Sequence, residues 1–305
     1  MNFIKKWYTY QKERFPILTY GIYIFAIVFA VFCYNSYLAP RTYENISKLV
    51  WSVEPEPFIM NYYKIIPMFI VAFLQFLMVR IIDEFKDYEE DCKYRAYRPV
   101  PRGLITLKEL KVLFIICGIL QLLITLWINP KGTFLLIVVW IFFFIMSKSF
   151  FIKKFLDKHI LIEVFLDELL LPLLMLYLSS FIYYIDFSNI CKLLFMGYIV
   201  SWIVEVARKV RCKEDEENGV KTYTAVFGIK KAMLILFILE TFLMIVQTLI
   251  LGKTYIGLTI GIYLVVNSIN LLFSVKQNRK FAKLTELSEN MYILICYLSL
   301  LLLIL

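Results

Sequence analysis

One histidine, His159, stands among 305 residues. A single imidazole cannot build a histidine metal site, and nothing beside it suggests a nucleophile–base pair. It sits in a basic loop and reads as an interfacial residue. Cysteine is scattered: Cys33, Cys92, Cys117, Cys191, Cys212 and Cys296 form no Cys-x-x-Cys pair. Neither a disulfide framework nor a zinc site is indicated. No stretch alternates apolar and polar residues in the manner of a membrane strand, which argues against a transmembrane barrel. No cleavable leader is expected, because the apolar run after Lys5 and Lys6 extends from near Ile17 to Ala39, too long for a signal-peptide core. The net charge is +9, yet no basic, glycine-spaced or zinc module for nucleic acid accompanies it.

What the chain has in abundance is apolar surface. Hydrophobic residues make up 61% of it, and mean hydropathy is +0.74. Soluble domains rarely exceed about half. The expected class is an all-α, polytopic integral membrane protein, with residues 1–305 as a single transmembrane domain. Runs of about 20 apolar residues place nine spans, near 17–39, 58–82, 107–128, 133–151, 160–184, 190–210, 231–251, 254–275 and 287–305. Within lipid these are helices, which satisfy their own backbone. Only Arg41, Lys48, Lys64, Lys131, Lys192 and Lys253 of the 33 basic residues fall on the face opposite the N-terminus. The excess of Lys and Arg puts the N-terminus on the cytoplasmic side, of the cell membrane by expectation. The outer segment 40–57, with Trp51, reads as a solvated connector, Asn129-Pro130-Lys131-Gly132 as a tight turn, and Asn45-Ile46-Ser47 as a sequon of little weight. Aromatics reach 17%, with 27 Phe and 21 Tyr. They supply interfacial belts and packing, and any excess suits a cavity that holds a cation over ring faces.

One polar stretch dominates: Asp83-Glu84-Phe85-Lys86-Asp87-Tyr88-Glu89-Glu90-Asp91, followed by Arg98-Pro99-Val100-Pro101-Arg102-Gly103. The spacing of four stacks Asp83, Asp87 and Asp91 on one helix face, roughly 6 Å apart along the axis. Three carboxylates in a row repel unless a cation lies between them. Hard oxygen ligands suit Mg²⁺, which completes its shell with waters and substrate phosphates. An acidic run alone reads more readily as a solvated helix end beside Lys86 and Lys93. Its attachment to a spanning segment and to the Arg-Pro-Val-Pro-Arg-Gly turn favours a magnesium–diphosphate site at the membrane surface.

This stretch resembles the first aspartate-rich motif of the UbiA superfamily of intramembrane prenyltransferases, Asn-Asp-x-x-Asp-x-x-x-Asp followed by an Arg-Pro-Leu-x-Ser-Gly-like turn. Asp83 stands at the Asn position, Glu84 at the first Asp, and Asp87 and Asp91 at the others. Arg98, Pro99 and Gly103 match the turn, and Arg102 replaces its Ser. A second stretch, from Glu205 to Gly228, resembles the second motif, Asp-x-x-x-Asp-x-x-x-Gly-Ile-Lys-Ser. Gly219, Val220, Lys221 and Thr222 match its end, and Phe227-Gly228 falls where the family often has Phe-Gly. Asp215 takes the second Asp position, while Arg211 occupies the first. Glu205 stands as the substitute carboxylate, with Glu216 and Glu217 as alternatives. The bland reading of Glu205 is an ion pair with Lys209 at i,i+4.

The resemblance implies transfer of an isoprenoid chain from a polyprenyl diphosphate donor to a hydrophobic or aromatic acceptor, with Mg²⁺ as cofactor. Metal ligands would be Asp83, Glu84, Asp87, Asp91, Glu205 and Asp215. Asp87, Asp91, Arg98 and Lys148 would be catalytic, Lys148 because the family often has a basic residue after the fourth span. Arg208, Lys209 and Arg211 cluster at a helix end, either as topology flanks or as a diphosphate clamp; Arg102 and Lys221 join that set. Glu163, Asp167 and Glu168 in the fifth span either pair with a loop Lys or contact the acceptor. The rival readings are a terpene cyclase, which needs no acceptor, and a cation-coupled transporter. A transporter places its charges near the midplane, whereas both acidic stretches lie at span ends.

Overall fold

The computed structural model describes residues 2–47, 62–182, 187–216 and 222–305. No strand occurs among them. The helices are α1 (Phe3–Arg14), α2 (Ile17–Ser47), α3 (Ile65–Lys86), α4 (Tyr88–Tyr94), α5 (Leu107–Ile128), α6 (Thr133–Ser147) and α7 (Lys153–Leu156). They continue with α8 (Ile160–Asp167), α9 (Leu170–Ser179), α10 (Phe187–Arg208), α11 (Tyr223–Phe227), α12 (Ile229–Leu251), α13 (Ile256–Lys276) and α14 (Arg279–Leu298). Eight of these, α2, α3, α5, α6, α10, α12, α13 and α14, are long and apolar enough to cross a membrane. The all-α, polytopic expectation is met.

The fifth expected span, over 160–184, is instead two short helices, α8 and α9, with a turn at Glu168-Leu169. Pro172 explains the break. It has no N–H to return to the carbonyl of Glu168, which weakens the ladder at this point, and Pro fits the first turn of a new helix. The Glu168 carbonyl accepts from the Ser201 hydroxyl instead, at 3.3 Å. The last span begins at Arg279, eight residues before the hydropathy window opens. Asn278 caps it, its side chain accepting from the Phe281 N–H at 3.0 Å. Lys280, Lys283 and Glu286 delay the apolar signal without interrupting the helix. The connector around Trp51 and the expected span limits at 58–61 and 184 lie outside the described residues.

The helices form two compact units. The first comprises residues 1–163 and 174–185. In it α2 packs on α3, and α3 on α5 and α6. Buried polar side chains tie these helices together. The Gln121 amide donates to the Val71 carbonyl at 3.0 Å and to Gln75 Oε1 at 3.1 Å. Its oxygen accepts from the Trp140 indole at 3.0 Å. Asn35 donates to Ser179 Oγ at 3.0 Å, and the Thr125 and Tyr177 hydroxyls are bonded to each other. Where lipid offers no hydrophobic drive, such bonds and close packing hold helices together. The second unit comprises residues 164–173 and 186–305. There α12 packs on α10 and α13, and α14 on α13 and α10. Thr248 meets Thr259 at 2.8 Å, and Gln247 meets Ser299 at 2.9 Å.

Gln121→Leu leaves the Trp140 and Gln75 polar atoms without their described partner. It is expected to destabilise the protein by about 1–3 kcal/mol, read by thermal unfolding in detergent. Gln75→Leu added to it should cost less than the sum of the two single changes.

Candidate functional site

The first acidic stretch lies where α3 hands over to α4. Asp87 leaves helical geometry (φ −97°, ψ 3°), so α3 ends at Lys86. The hydrogen-bond ladder nevertheless crosses the bend. The Asp87 N–H donates to the Asp83 carbonyl at 2.9 Å, Asp91 to Asp87 at 2.8 Å, and Arg95 to Asp91 at 2.9 Å. The four-residue spacing read from the sequence therefore survives as a continuous backbone row.

The side chains on that row differ in environment. Glu84 is 2% exposed. Its carboxylate accepts from Arg14 Nε and from Arg80 Nη2 at 3.3 Å. Asp83 is half-buried and accepts from Arg80 Nη1 at 3.2 Å. Asp91 is 1% exposed. Arg98 Nη1 donates to its two oxygens at 2.8 and 2.6 Å, and Arg95 Nη1 stands 3.3 Å away. Asp87 is half-buried and makes no ion pair among the described residues.

The Arg98–Gly103 turn is built by local hydrogen bonds. Arg102 N–H donates to the Arg98 carbonyl at 3.0 Å, Gly103 to Val100 at 3.0 Å, and Leu104 to Pro99 at 2.8 Å. Gly103 sits at φ 76°, in the left-handed region where glycine carries no Cβ penalty. Val100 is buried in a cluster with Tyr10, Ile81, Ile105 and Leu110. The turn is thus wedged between α1, α3 and α5. Three ion pairs fasten α1 over it: Lys6 to Glu109 at 2.5 Å, Glu13 to Arg102 at 2.8 Å, and Arg14 to Glu84. Burial pushes the Tyr10 phenol above its ordinary range, and the Glu84 carboxylate beside it adds to the effect.

Two other expected residues of this unit lie on its surface or in pairs. Lys148 is exposed at the end of α6. After it Ser149, Phe150 and Phe151 run at φ 47°, 53° and 59°, a left-handed turn that costs roughly 1–2 kcal/mol per residue. Glu163 pairs with Lys86 at 3.7 Å, the loop-lysine partner that its sequence position allowed.

The second unit carries the other stretch. Glu205, near the end of α10, is held by Arg208 at 2.5 Å and by Lys209. The i,i+3 and i,i+4 pairs expected on a helix face are both formed. Asp215 pairs with Arg279 at 3.0 Å and accepts from the Cys212 thiol at 3.2 Å. The Arg211 N–H donates to Thr224 Oγ1 at 3.1 Å, and its guanidinium reaches the Asp215 carbonyl at 3.3 Å. Glu216 accepts from Thr222 at 2.7 Å and from Thr224 at 2.6 Å. Thr222 caps α11 through the Ala225 N–H at 3.1 Å. Lys221, Glu217, Gly219 and Val220 lie outside the described residues.

The structure therefore joins Asp83 and Glu84 on Arg80, Asp91 with Arg98, and Glu205 with Arg208 and Lys209. It gives Glu205 and Asp215 separate partners. Among the described residues no group of three acids, cysteines or histidines is close enough to hold a metal ion. Sequence reading missed Arg14, Arg80, Arg95 and Arg279. Arg80 and Arg95 carried a signal, since each stands three or four residues from its acid. Arg14 and Arg279 carried none.

The sequence model of the UbiA prenyltransferase family matches residues 54–295. The chain belongs to the UbiA prenyltransferase family. As a UbiA member it is an intramembrane prenyltransferase with several membrane-crossing helices. No curated protein gives a match to this chain. Two solved structures share the UbiA fold with it. One comes from a study of digeranylgeranylglyceryl phosphate synthase; it is 19% identical, with a TM-score of 0.56 over 93% of this chain and 97% of that one. The other is the apo structure of a UbiA homolog from Aeropyrum pernix K1, 12% identical, with a TM-score of 0.58 over 88% of this chain and 94% of that one. Both acidic stretches fall inside the family match, whereas α1, which supplies Arg14, precedes it.

Arg14→Ala leaves the buried Glu84 with Arg80 as its described partner. Breaking a buried pair from one side costs about 3–5 kcal/mol, and a loss of that order is expected in thermal unfolding. Adding Glu84→Gln should restore more than half, because the orphaned charge is then gone. An equally unstable double variant would assign the loss to packing.

Proposed function

We propose that this UbiA member transfers an isoprenoid chain from a polyprenyl diphosphate to a hydrophobic or aromatic acceptor, with Mg²⁺ at the aspartate row. The observation that supports this most is the unbroken Asp83–Asp87–Asp91 backbone row beside an arginine-rich turn, with Asp87 unpaired. Its donor chemistry fits the ion: Mg²⁺ takes one or two carboxylates and fills its remaining positions with waters and substrate phosphates. Asp83 and Asp87, both half-buried, are the ligands the arrangement offers first. When bound, the ion neutralises the leaving diphosphate.

The chain's own residues do the rest. Glu84 and Asp91 orient Arg80 and Arg98, and a guanidinium has five donors, so the N–H groups left over can meet diphosphate oxygens. Asp91 acts in this reading through Arg98 as well as through the metal. Arg102, Lys148, Arg208, Lys209, Arg211 and Lys221 are the further basic groups we assign to the diphosphate. Glu205 and Asp215 hold three of the arginines and lysines around them, Arg208, Lys209 and Arg279, and we retain both acids as candidate ligands of a second ion. Fixed positive charge aimed at developing negative charge is the largest contribution such a site makes. The allylic carbon becomes electron-poor as the diphosphate leaves, and aromatic faces shelter it. No protein nucleophile is needed. We place the N-terminus and both acidic stretches on the cytoplasmic face.

Purified protein incubated with prenyl diphosphates, Mg²⁺ and a membrane lipid extract as the source of acceptor should release diphosphate and yield a prenylated product by mass spectrometry, and omitting the extract should abolish that product. Asp87→Ala should lower turnover about 100-fold or more while unfolding within about 0.5 kcal/mol of the parent, because no described partner is lost. Near-parental turnover would remove Asp87 from the site. For orientation, a cysteine at Lys280 should be labelled only from the cytoplasm, and one at Lys131 only from outside. The reverse pattern would move the acidic stretches to the other face.

A further inference from the structure

The spanning helices of the second unit bury two acids that neither motif contains. Glu240 on α12 and Glu289 on α14 are each 0% exposed. Asn270 on α13 lies between them, and its amide nitrogen donates to Glu240 Oε1 and to Glu289 Oε1, both at 2.6 Å. The remaining oxygens, Glu240 Oε2, Glu289 Oε2 and Asn270 Oδ1, are buried without a partner among the described residues. No ion pair from α10, α12, α13 or α14 reaches either acid there. The polar neighbours are neutral: the Tyr292 hydroxyl stands 3.5 Å from the Glu240 carbonyl, and Cys296 donates to Gln247. Lys230, in the first turn of α12, lines the rim of the adjoining cavity without pairing with either glutamate.

Two carboxylates in one apolar pocket cannot both remain charged without a cation, because burying an uncompensated ion costs several kcal/mol. Ionisable side chains inside spans also mark functional sites more often than packing. A cavity of about 620 Å³ between α12 and α13 reaches the site at Asn270, with Lys230, Asn267, Ser274 and Gln277 among its polar lining and Met233 and Phe237 among its apolar lining; neither glutamate lines it.

We propose that Glu240, Asn270 and Glu289 form an intramembrane binding site for one small monovalent cation, a proton or a sodium ion, reached through this cavity. The three free oxygens, two of them carboxylate oxygens, suit one small cation, and the single negative charge that remains on the pair is met by the Asn270 amide. A divalent ion such as Mg²⁺ requires six ligands and sheds its waters reluctantly. A proton would sit between the two Oε2 atoms and satisfy both, as in paired carboxyls that share one proton. The inference does not depend on the prenyl-transfer site.

The test compares thermal unfolding of the intact protein in sodium chloride and in choline chloride, at equal pH and ionic strength, with infrared detection of a protonated carboxyl. If sodium is the ligand, it should raise Tm by about 3 °C or more at saturation, and E240Q/E289Q should abolish that rise. If the ligand is a proton, sodium should have no effect. The parent should then show a protonated-carboxyl band that shifts in D₂O and is absent from E240Q/E289Q. The single variants E240Q and E289Q preserve shape and serve if the double variant fails to fold. A parent with neither a sodium effect nor a protonated carboxyl would overturn the proposal, as would either signal surviving in all three variants.

Discussion

A buried carboxylate in this chain must be met by a guanidinium or an amide, and that requirement arranges both units. Glu84 and Asp91 are almost wholly inaccessible, at 2% and 1% exposure. Left alone, each would cost several kcal/mol in an apolar setting. Each instead has two arginines within reach: Arg14 and Arg80 for Glu84, Arg95 and Arg98 for Asp91. Planar guanidinium groups suit this better than lysine, because their donors are fixed in a fork and are weakly hydrated. Glu240 and Glu289 show the other case: they are as deeply buried, and among the described residues an asparagine amide meets them and no arginine does.

The clamps also determine the path of the backbone. To reach Glu84, Arg14 must end α1 beside α3, and this lays Tyr10 against Ile81, Val100, Ile105 and Leu110. Val100 belongs to the turn that presents Arg98. The hydrophobic contact and the ion pairs therefore support each other: the packed tyrosine sets where α1 lies, and the arginine at its end uses that position. Gly103 completes the arrangement, since its left-handed φ of 76° lets the chain double back into α5 without strain.

Much of this was legible in the sequence because membrane spans and helical spacing are local properties. Eight of the nine expected spans are helices, the last of them starting eight residues early, and the expected i,i+4 contact of Glu205 with Lys209 is present. The failure at 160–184 came from letting mean hydropathy outweigh Pro172 and the acids Glu163, Asp167 and Glu168 before it. Arg14 and Arg279 were illegible for a different reason. They meet their acids across 70 and 64 residues, and no periodicity links positions so far apart. Glu240 did carry a signal, a lone acid in an apolar run, which a count of acidic clusters overlooks; Glu289 stands three residues after Glu286 at the polar edge of its run, where it reads as part of a helix end.

The four acids of the first stretch share one helical ladder yet have unlike surroundings, and the difference divides their work. Glu84 and Asp91 are consumed in holding arginines. Asp87 sits at the bend where α3 yields to α4. It is half-buried and makes no ion pair among the described residues, so of the four it is the acid whose charge no described side chain meets. The family match begins after α1, and α1 contributes Arg14, one of the two arginines that meet Glu84. The fastening of this buried acid therefore rests partly on a helix that precedes the matched region.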